Sequence, residues 1–438
     1  MGKNASSLEK KILRRTARVG VIGLGYVGLP LAVEFASRGF RTVGIDVDPK
    51  RVKELNRGHS YIPDISSAQI RLLVSQGRLK ATTRYEILRQ LDAVMICVPT
   101  PLRKTREPDI SYIVAATEEL VKHLHRGQAI SLESTTYPGT TEEVILPKLE
   151  ATGLKVGRDF FLGFSPERID PGNKEYATSQ IPKVVSGITP ACRKVIQRLY
   201  GQVIQKVIPV SSTKVAEMVK LLENTFRSVN IGLVNELSLL CHRMGVDVWE
   251  VIDAAKSKPF GFMAFYPGPG LGGHCIPIDP LYLSWKAKLH GFEARFIELS
   301  SQINSAMPEV VVERVGQELN KRGQPLKGAR ILVLGVAYKR NVGDVRESPA
   351  IEIIQHLKNK GARVNYHDPF VPSFSIGGDS LRSVRLSPTL LSAANCVLIV
   401  TDHGNVDYLK VVKNSRLILD TRNALKSLSP RPSNVVRL

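Results

Sequence analysis

The feature that most constrains the fold is a glycine-rich turn between a strand pattern and a helix pattern near the start of the chain. Residues 17–46 contain an apolar strand segment (ARVGVIG), a turn with three glycines, a helical segment (YVGLPLAVEFASRG) and a second strand segment (FRTVGID). Strand, tight turn, helix and strand in this order form the opening unit of a doubly wound sheet. We therefore predict an α/β fold built on a parallel sheet.

The three glycines of this turn have the spacing of a dinucleotide-binding motif. Gly23, Gly25 and Gly28 follow the pattern G-x-G-x-x-G directly after the first strand segment. The first permits the tight turn, the second lets the backbone approach a pyrophosphate, and the third allows close helix packing. Asp46 ends the second strand, where its carboxylate would bind the adenosine ribose and repel a 2′-phosphate. The motif predicts NAD rather than NADP; a tight turn that binds no ligand is the alternative.

The hydrophobic pattern divides the rest of the chain. Alternating strand and helix patterns continue to about residue 208, with strands predicted at 93–98, 129–133, 160–164, 183–186 and 203–207. After Ser211, apolar residues recur at spacings of three and four, which predicts one long helix capped by Ser211 or Ser212 and ended by Gly245. A second long helix is predicted at 296–322.

A second α/β segment begins at Ala329 and repeats the pattern of the first. Gly335 and Asp368 stand where Gly23 and Asp46 stand, but the other two glycines are missing. We therefore expect a second nucleotide-type ligand that is held in another way. The predicted architecture is two Rossmann-like doubly wound domains joined by a central helical domain. Its segments are a basic N-terminal arm (1–16), an NAD-binding domain (17–208), a central helical domain (209–325) and a second Rossmann-like domain (326–438).

The charge of the chain raises the question of a polyanionic partner. The formal net charge is +21, and clustered Lys and Arg attract nucleic acid and anionic membranes. Beyond the N-terminal arm, however, the cations are scattered beside Glu and Asp, without the interleaved aromatic residues of a nucleic-acid binder. We expect solvated faces and a small anionic substrate, with no nucleic-acid and no membrane partner. A nucleic-acid binder is the alternative that charge alone leaves open.

The cysteines point to one unusual position. Five cysteines are too few for a disulfide framework and form no close pair typical of a zinc site, so we expect a reducing, cytoplasmic compartment and no metal. Cys275 lies in the loop YPGPGLGGHCIPIDP (266–280), where packing explains a cysteine poorly. The other four lie in strand or helix patterns and are interpreted as packing residues: Cys97, Cys192, Cys241 and Cys396.

Polar residues around this loop and on the long helix are candidates for chemistry. The loop places one thiol among glycines that admit a substrate, and a helix beginning near Ile278 would put Asp279 beside Cys275. Lys220 and Asn224 lie four residues apart on the long helix and share a face. A glycine hinge with an incidental cysteine, and a solvated helix face, are the structural alternatives. Glu167 follows a predicted strand and could equally be a helix cap or a surface acid.

These segments together resemble the UDP-glucose and UDP-N-acetylhexosamine 6-dehydrogenase family. The resemblance runs from about residue 17 to residue 425 in collinear order. It includes GLGYVGLPLA, CVPTP, ESTTYPGTTEE, FSPERIDPG, AEMVKLLENTFRSVN, GPGLGGHCIPIDP, VLGVAYKRNVGDVRESPA and YHDP. The segments SPERIDPG, ENTFRSVN and KPFGFMAFYPGPG are more similar to the N-acetylhexosamine branch, and most similar to UDP-N-acetylglucosamine 6-dehydrogenase.

The resemblance implies a reaction as well as a fold. It implies NAD in the first domain, two NAD per turnover, a UDP-sugar in the last domain, and a homodimer or higher homo-oligomer. The expected activity is four-electron oxidation of the C6 alcohol of UDP-N-acetylglucosamine to the uronic acid, through a thiohemiacetal and a thioester, for polysaccharide biosynthesis. UDP-glucose, UDP-N-acetylmannosamine and the galactosamine epimer are alternative substrates. A two-electron hydroxyacid dehydrogenase with a structural Cys275 is the alternative enzyme.

The resemblance also implies roles for individual residues. Cys275 is implied as nucleophile, Lys220 and Asn224 as oxyanion stabilisers, and Asp279 as a helper for water or proton transfer. Glu167 and Thr135 fall at active-site positions. The implied cofactor contacts are Gly23, Gly25, Tyr26, Val27, Gly28, Asp46, Arg51, Thr100, Thr135 and Arg346. The implied substrate contacts are Glu167, Arg168, Lys220, Asn224, Arg227, Gly272, Lys339 and Arg422.

Overall fold

The computed structural model describes residues 3–62, 64–103, 105, 107–168, 178–273, 275–428 and 430–438. The chain divides into two compact units. Unit 1 comprises Met1–Glu223 and Trp285–Gly291, and unit 2 comprises Asn224–Ser284 and Phe292–Leu438. Among the described residues, no helix combines the length and the hydropathy that a membrane span requires.

Unit 1 alternates strands and helices along most of its length. In chain order its elements are α1 (Lys3–Leu13), β1 (Arg18–Ile22), α2 (Gly28–Ser37), β2 (Arg41–Ile45), α3 (Pro49–Asn56), α4 (Ser67–Ser75), β3 (Leu79–Thr82), β4 (Ala93–Ile96), α5 (Ser111–His123), β5 (Ala129–Leu132), α6 (Leu146–Glu150), β6 (Phe161–Phe164), β7 (Lys183–Val185), α7 (Pro190–Tyr200) and β8 (Val207–Pro209). Short 3-10 helices occupy Tyr85–Gln90 and Thr178–Gln180, and a π-helix at Thr141–Ile145 leads into α6.

The main sheet of unit 1 has six parallel strands in the order β3-β2-β1-β4-β5-β6. Strands β4, β5 and β6 are buried along their whole length, as expected for a parallel sheet covered on both faces. The winding reverses between β1 and β4, and a crevice forms outside the carboxyl ends of the strands at such a point. This order confirms the predicted doubly wound parallel sheet.

Two local features of unit 1 differ from the sequence expectation. The N-terminal arm contains the helix α1, whose apolar residues at spacings of three and four, Ala5, Leu8 and Ile12, are buried in the core of the unit. The predicted strand 203–207 is wrong, because Val203 lies in a turn and its N–H donates to the carbonyl of Tyr200 at 3.0 Å. The strand begins only at Val207.

The helix α8 (Thr213–Met244) crosses the boundary between the units. Ser212 caps its start, because the Ser212 hydroxyl accepts from the N–H of Val215 at 3.2 Å. Gly245 follows its end with a φ of +71°, which glycine adopts without strain. The predicted long helix, its cap and its terminating glycine are therefore confirmed.

Unit 2 contains the remaining helices and a second sheet. Its elements after α8 are α9 (Val248–Ala255), α10 (Asp279–Leu289, which ends in unit 1), α11 (Arg295–Asn320), β9 (Arg330–Leu334), α12 (Pro349–Asn359), β10 (Arg363–His367), β11 (Ser373–Ile376), β12 (Asp379–Arg382), α13 (Pro388–Ala393), β13 (Cys396–Ile399), α14 (Tyr408–Asn414), β14 (Ile418–Asp420) and β15 (Val435–Arg437). The helix predicted at 296–322 corresponds to α11.

The second sheet repeats the turn geometry of the first. Its five parallel strands have the order β10-β9-β13-β14-β15, and the winding reverses between β9 and β13. Gly335 after β9 has a φ of +81°, and Gly23 after β1 has a φ of +89°. A Cβ at Gly23 would lie 2.5 Å from the carbonyl oxygen of Cys97, and one at Gly335 would lie 2.4 Å from that of Thr401. Both sheets therefore need a glycine beside the point where the winding reverses.

Candidate active site

The glycine turn of unit 1 has the geometry that a dinucleotide needs. A Cβ at Gly28 would lie 1.8 Å from the carbonyl oxygen of Gly23, so the third glycine is required for packing. A Cβ at Gly25 would meet no atom of the described residues within 4 Å. Val27 caps α2, and in this described segment no side chain bonds to the first N–H groups of the helix. The space before Gly25 and the N-terminus of α2 therefore fit a pyrophosphate.

A fixed carboxylate accompanies this turn. Asp46 is 4% exposed and follows β2. Its Oδ2 accepts from the N–H of Leu24 at 2.7 Å, and its Oδ1 accepts from the N–H of Asp48 at 2.9 Å. The guanidinium of Arg51 lies 3.5 Å from Asp46 Oδ2, while Tyr26 is exposed next to the glycines. This placement fits an acceptor for the ribose of NAD.

A buried ionic cluster lies at the carboxyl ends of β5 and β6. Glu133 follows β5, Glu167 follows β6, and Lys183 begins β7. Lys183 Nζ lies 2.7 Å from Glu133 Oε2 and 3.2 Å from Glu167 Oε2. The hydroxyl of Tyr200 donates to Glu133 Oε1. The Glu133 side chain is 0% exposed and that of Lys183 is 6% exposed, so one ammonium group is shared between two carboxylates away from water.

The surroundings of this cluster place the pKa of Glu133 near neutral pH. Burial raises the pKa of Glu133 to about 7, and the charge of Glu167 adds to this rise while Lys183 opposes it. Burial lowers the pKa of Lys183, but the two carboxylates outweigh burial and the net pKa is raised. The ammonium therefore stays charged while Glu133 can hold or release a proton, as a group used in proton transfer must.

The other predicted residues of unit 1 occupy buried or half-buried positions. Lys220 on α8 is 8% exposed, and Thr100 after β4 is 6% exposed. Thr135 is half-buried, two residues beyond Glu133. The Arg168 guanidinium lies 2.6 Å from Glu223 Oε1. Lys220 therefore does not lie on a solvent-exposed face of α8.

The cysteine loop of unit 2 brings three predicted residues together. Helix α10 begins at Asp279, whose N–H donates to the carbonyl of Cys275 at 2.8 Å. Asp279 is 3% exposed and Asn224 is 5% exposed. The side-chain amide of Asn224 donates to the Asp279 carboxylate, whereas the side chain of Cys275 is exposed. The thiol thus faces solvent next to a buried acid–amide pair.

Residues of the second Rossmann-like domain pack directly on this loop. A Cβ at Gly272 would lie 2.8 Å from Cβ of Tyr338, and one at Gly268 would lie 2.7 Å from Nη1 of Arg422. The N–H of Gly273 donates to the carbonyl of Arg346 at 3.3 Å. Because a side chain at Gly272 would collide with Cβ of Tyr338, which cannot shift without its backbone, glycine is required at Gly272. Arg422 therefore lies beside the loop that contains Gly272, and Lys339 follows Tyr338 in sequence. Arg227 lies exposed on α8.

The turn after β9 is fixed by a buried acid–imidazole pair. Asp368 Oδ2 accepts from the N–H of Val336 at 2.8 Å and from Nε2 of His403 at 2.9 Å. Nδ1 of His403 accepts from the N–H of Asn341 at 3.0 Å, so the proton of the imidazole lies on Nε2. Burial raises the pKa of Asp368, but the hydrogen bonds from His403 and from the N–H groups of Val336 and Phe370 outweigh it and lower the net pKa. This pair orders the turn without the missing glycines.

Three residues other than glycine near this edge of the sheet have left-handed backbone. Their φ values are +59° for Asn341, +51° for Glu347 and +52° for Asn423. Such conformations are costly for residues with a Cβ and concentrate at ligand sites. They support a ligand site at the carboxyl ends of β9, β13 and β14.

Sequence reasoning missed Glu133 and Lys183 as members of the site. Glu133 begins the segment ESTTYPGTTEE directly after an apolar strand pattern, which places it at the carboxyl end of a strand. Lys183 opens the apolar run KVVS, where a cation needs a buried partner. These two signals mark each residue as unusual, but they do not show that the two form a pair.

Comparisons with known proteins point to one family along most of the chain. Models of the UDP-glucose/GDP-mannose dehydrogenase family match in three parts: the NAD binding domain at residues 17–204, the central domain at 214–306 and the UDP binding domain at 332–427. The UDP-N-acetyl-D-glucosamine 6-dehydrogenase of Pseudomonas aeruginosa is 40% identical over 357 residues, which cover 81% of this chain and 83% of the relative. The NDP-N-acetyl-D-galactosaminuronic acid dehydrogenase of Ralstonia nicotianae is 36% identical over 418 residues, which cover 92% and 95%.

A solved structure shows the same similarity in three dimensions. The UDP-D-ManNAc dehydrogenase from Pyrococcus horikoshii matches with a TM-score of 0.87 at 34% identity, covering 96% of this chain and 98% of that one. The fold and the dinucleotide turn therefore define an NAD-dependent oxidoreductase that acts on nucleotide sugars. The chain belongs to the UDP-glucose/GDP-mannose dehydrogenase family. This confirms the predicted family, fold class and cofactor.

Proposed function

We propose that this protein oxidises the C6 alcohol of a UDP-N-acetylhexosamine to the uronic acid, with UDP-N-acetylglucosamine as the best candidate. The observation that carries the proposal is the exposed Cys275 thiol beside the buried Asp279–Asn224 pair. A thiol is not needed to oxidise an alcohol to an aldehyde. It is needed to hold the aldehyde as a species that can lose a second hydride.

The proposed chemistry consumes two NAD per acid formed. The C6 alcohol loses a proton and a hydride and becomes an aldehyde, and the Cys275 thiolate adds to its carbonyl carbon to give a thiohemiacetal. The thiohemiacetal loses its hydroxyl proton and its C6–H leaves as a second hydride, and the product is a thioester. Water then cleaves the C–S bond, which releases the acid and restores the thiol. Bound NAD accepts the hydride in each oxidation.

Different side chains stabilise the negative charge and transfer the protons. We assign to Lys220 and Asn224 the stabilisation of negative charge on the C6 oxygen in the tetrahedral species. A cation such as Lys220 also favours the thiolate form of a cysteine. Asp279, which Asn224 holds by a hydrogen bond, assists the attacking water. We assign the transfer of the alcohol proton to Glu167 or Asp279.

The remaining assignments follow the domain division 17–208, 209–325 and 326–438, which the three matched ranges support. We propose that the basic arm 1–16 precedes these domains. NAD would contact Gly23, Gly25, Tyr26, Val27, Gly28, Asp46, Arg51, Thr100, Thr135 and Arg346. The UDP-sugar would contact Glu167, Arg168, Lys220, Asn224, Arg227, Gly272, Lys339 and Arg422.

The choice of sugar rests on the N-acetylhexosamine segments and on the relatives. The relatives are named for three different N-acetylhexosamines, so UDP-N-acetylmannosamine is a close alternative, and UDP-glucose is a more distant one. A few pocket contacts, each worth about 1 to 3 kcal/mol, decide between such substrates. We place the reaction in cytoplasmic polysaccharide biosynthesis.

The proposal is tested by the amount of NADH released per limiting UDP-N-acetylglucosamine with excess NAD. Two NADH and a uronic acid per sugar are expected. One NADH per sugar would instead indicate a two-electron dehydrogenase in which Cys275 is structural. The same assay with UDP-N-acetylmannosamine, UDP-N-acetylgalactosamine and UDP-glucose assigns the sugar by comparing kcat/KM.

We also propose that the protein is a homodimer through α8. Exposed apolar residues follow one face of this helix at spacings of three, four and seven, and a monomer rarely exposes such a continuous stripe. A two-fold axis would cover the stripe with its own copy. Its members are Val215, Met218, Leu222, Phe226, Leu233, Leu237, Leu240 and Met244.

Changing Leu233 to aspartate is expected to reduce the assembly to a smaller species, because a charge would be buried in an apolar interface. Light scattering coupled to size-exclusion chromatography measures the mass of each species. Leu409→Asp is the matched control, since Leu409 on α14 is 67% exposed and lies off the stripe. An unchanged mass for Leu233→Asp, or an equal effect of the control, would contradict the interface.

A further inference from the structure

A polar cavity lies in unit 2, at the carboxyl end of α8. Its volume is about 280 Å³, and it is bounded by α8, α11, the start of α9 and the last strand β15. This volume suits a small ion or a phosphate ester better than a whole nucleotide sugar. The side chains that matter here are Ser238, His242, Arg314, Arg431 and Arg437. None of them is assigned to the oxidation above.

The lining carries more positive than negative charge. Three arginines line the cavity, whereas Asp247 is the one carboxylate side chain among the described lining residues. Arg437 Nη1 and Arg431 Nη1 share a single oxygen of Asp247, Oδ2, at 3.0 and 3.7 Å. The other oxygen of Asp247 caps α9 by accepting from the N–H of Trp249. A terminal carboxylate on Leu438 would offset one more charge and still leave the lining positive.

Arg314 is the least compensated of these cations. Its side chain is 12% exposed, and its Nη1 bonds to Nε2 of His242, which can accept only when the imidazole is neutral. Its Nε is buried without a hydrogen-bond partner among the described residues. The nearest carboxylate oxygen, Glu318 Oε1, is 4.0 Å away and lies 2.7 Å from Nζ of Lys321. Burial accordingly lowers the pKa of Arg314.

We propose that this cavity is a binding site for a small phosphate-bearing anion, with Arg314 as its central ligand. Arginine presents a planar set of donors that matches the oxygens of phosphate, often through two hydrogen bonds at once. A phosphate would accept hydrogen bonds from Arg314 and would neutralise the excess charge shared by Arg431 and Arg437. Binding would also hold the end of α8, α11 and the last strand together around one ligand. The site is independent of the oxidation at Cys275.

The test is isothermal titration of the whole protein with inorganic phosphate and with pyrophosphate at constant ionic strength. Saturating NAD and UDP are present throughout, so that the phosphate sites elsewhere are filled. We expect one site per chain, with binding weakened at least about tenfold in Arg314→Met, as expected from the loss of charge-assisted hydrogen bonds. The exposed Arg385→Met serves as control and should bind as the unaltered protein does. Tighter pyrophosphate binding would assign a diphosphate group, and equal binding a single phosphate.

A second variant guards against misfolding of Arg314→Met. Arg431 is 49% exposed, so Arg431→Met should keep the fold while weakening the same binding event. Absence of binding to the unaltered protein would overturn the proposal. So would equal binding by all the variants, since the anion would then lie elsewhere on the chain.

Discussion

Changing Cys275 to serine is expected to lower the rate of uronic acid formation by at least about a thousandfold. A serine hydroxyl at neutral pH is a far weaker nucleophile than a thiolate, so the aldehyde is not captured as a species that can lose its second hydride. Because the Cys275 side chain is exposed, the exchange of sulfur for oxygen should leave the free energy of unfolding nearly unchanged. NADH release and product analysis on the same sample measure the effect.

The comparison with another cysteine makes this result specific. Cys241 is partly exposed on α8, and Cys241→Ser should turn over substrate at the rate of the unaltered enzyme. The Cys275 variant should still bind UDP-sugar, because the residues proposed to contact the uridine diphosphate are untouched. Acid formation at a normal rate by Cys275→Ser would rule out the covalent intermediate. The protein would then have to carry out the second oxidation on the hydrated aldehyde.

Changing Lys183 to methionine is expected to destabilise unit 1 by about 3 kcal/mol or more near neutral pH. The substitution removes the one ammonium group that lies between Glu133 and Glu167 at 2.7 and 3.2 Å, and it leaves two carboxyl groups buried together. Lys122→Met is the matched control. Lys122 pairs with Glu119 at 2.6 Å but is 60% exposed, so its loss should cost at most about 1 kcal/mol.

The cost of this change should depend on pH in a defined direction. The pKa of Glu133 is raised to about 7 by burial, so the folded state binds a proton that the unfolded state has already lost. The stability that this proton contributes is present below the unfolded pKa and disappears as pH rises through about 7. Without Lys183, which lowers the pKa of Glu133, that pKa rises further. Urea unfolding at about pH 8 should therefore show a larger loss in Lys183→Met than unfolding at about pH 5.5.

Two results would contradict this account of the cluster. One is a loss in Lys183→Met no larger than that in Lys122→Met, and the other is a loss that does not change with pH. The first would mean that water reaches the carboxylates. The second would mean that Glu133 does not exchange its proton in this range.

The turn-and-helix part of the fold could be predicted because its physics is local. Gly23 and Gly28 are required by contacts within the turn and with the neighbouring strand, and the spacing records those contacts directly. The same is true of α8, whose cap at Ser212 and end at Gly245 lie next to the helix in sequence. Cys275 stood out because a thiol among glycines has no packing explanation.

The ionic cluster could not be predicted in the same way, because its members are distant in sequence. Glu133 and Lys183 are 50 residues apart, and only tertiary packing brings the start of β7 beside the end of β5, which belongs to another sheet. A strand pattern shows that Lys183 begins an apolar run, but it does not name the acid that neutralises it. The strand expected at 203–207 failed for a related reason. Val203 is apolar because it is buried in a turn after α7, and burial without alternation does not distinguish a strand from a turn.

The helix α1 matters to anyone who shortens this protein for crystallisation or attaches an affinity tag. By composition its segment is a basic leader that invites removal. Yet Leu8 and Ile12 are buried in unit 1, and Glu9 lies 2.6 Å from Arg198 of α7. Removing the residues before the dinucleotide motif would expose an apolar surface on α7 and would take away the Glu9 carboxylate that pairs with Arg198. A tag therefore belongs outside this helix, and α1 should be treated as part of the enzyme.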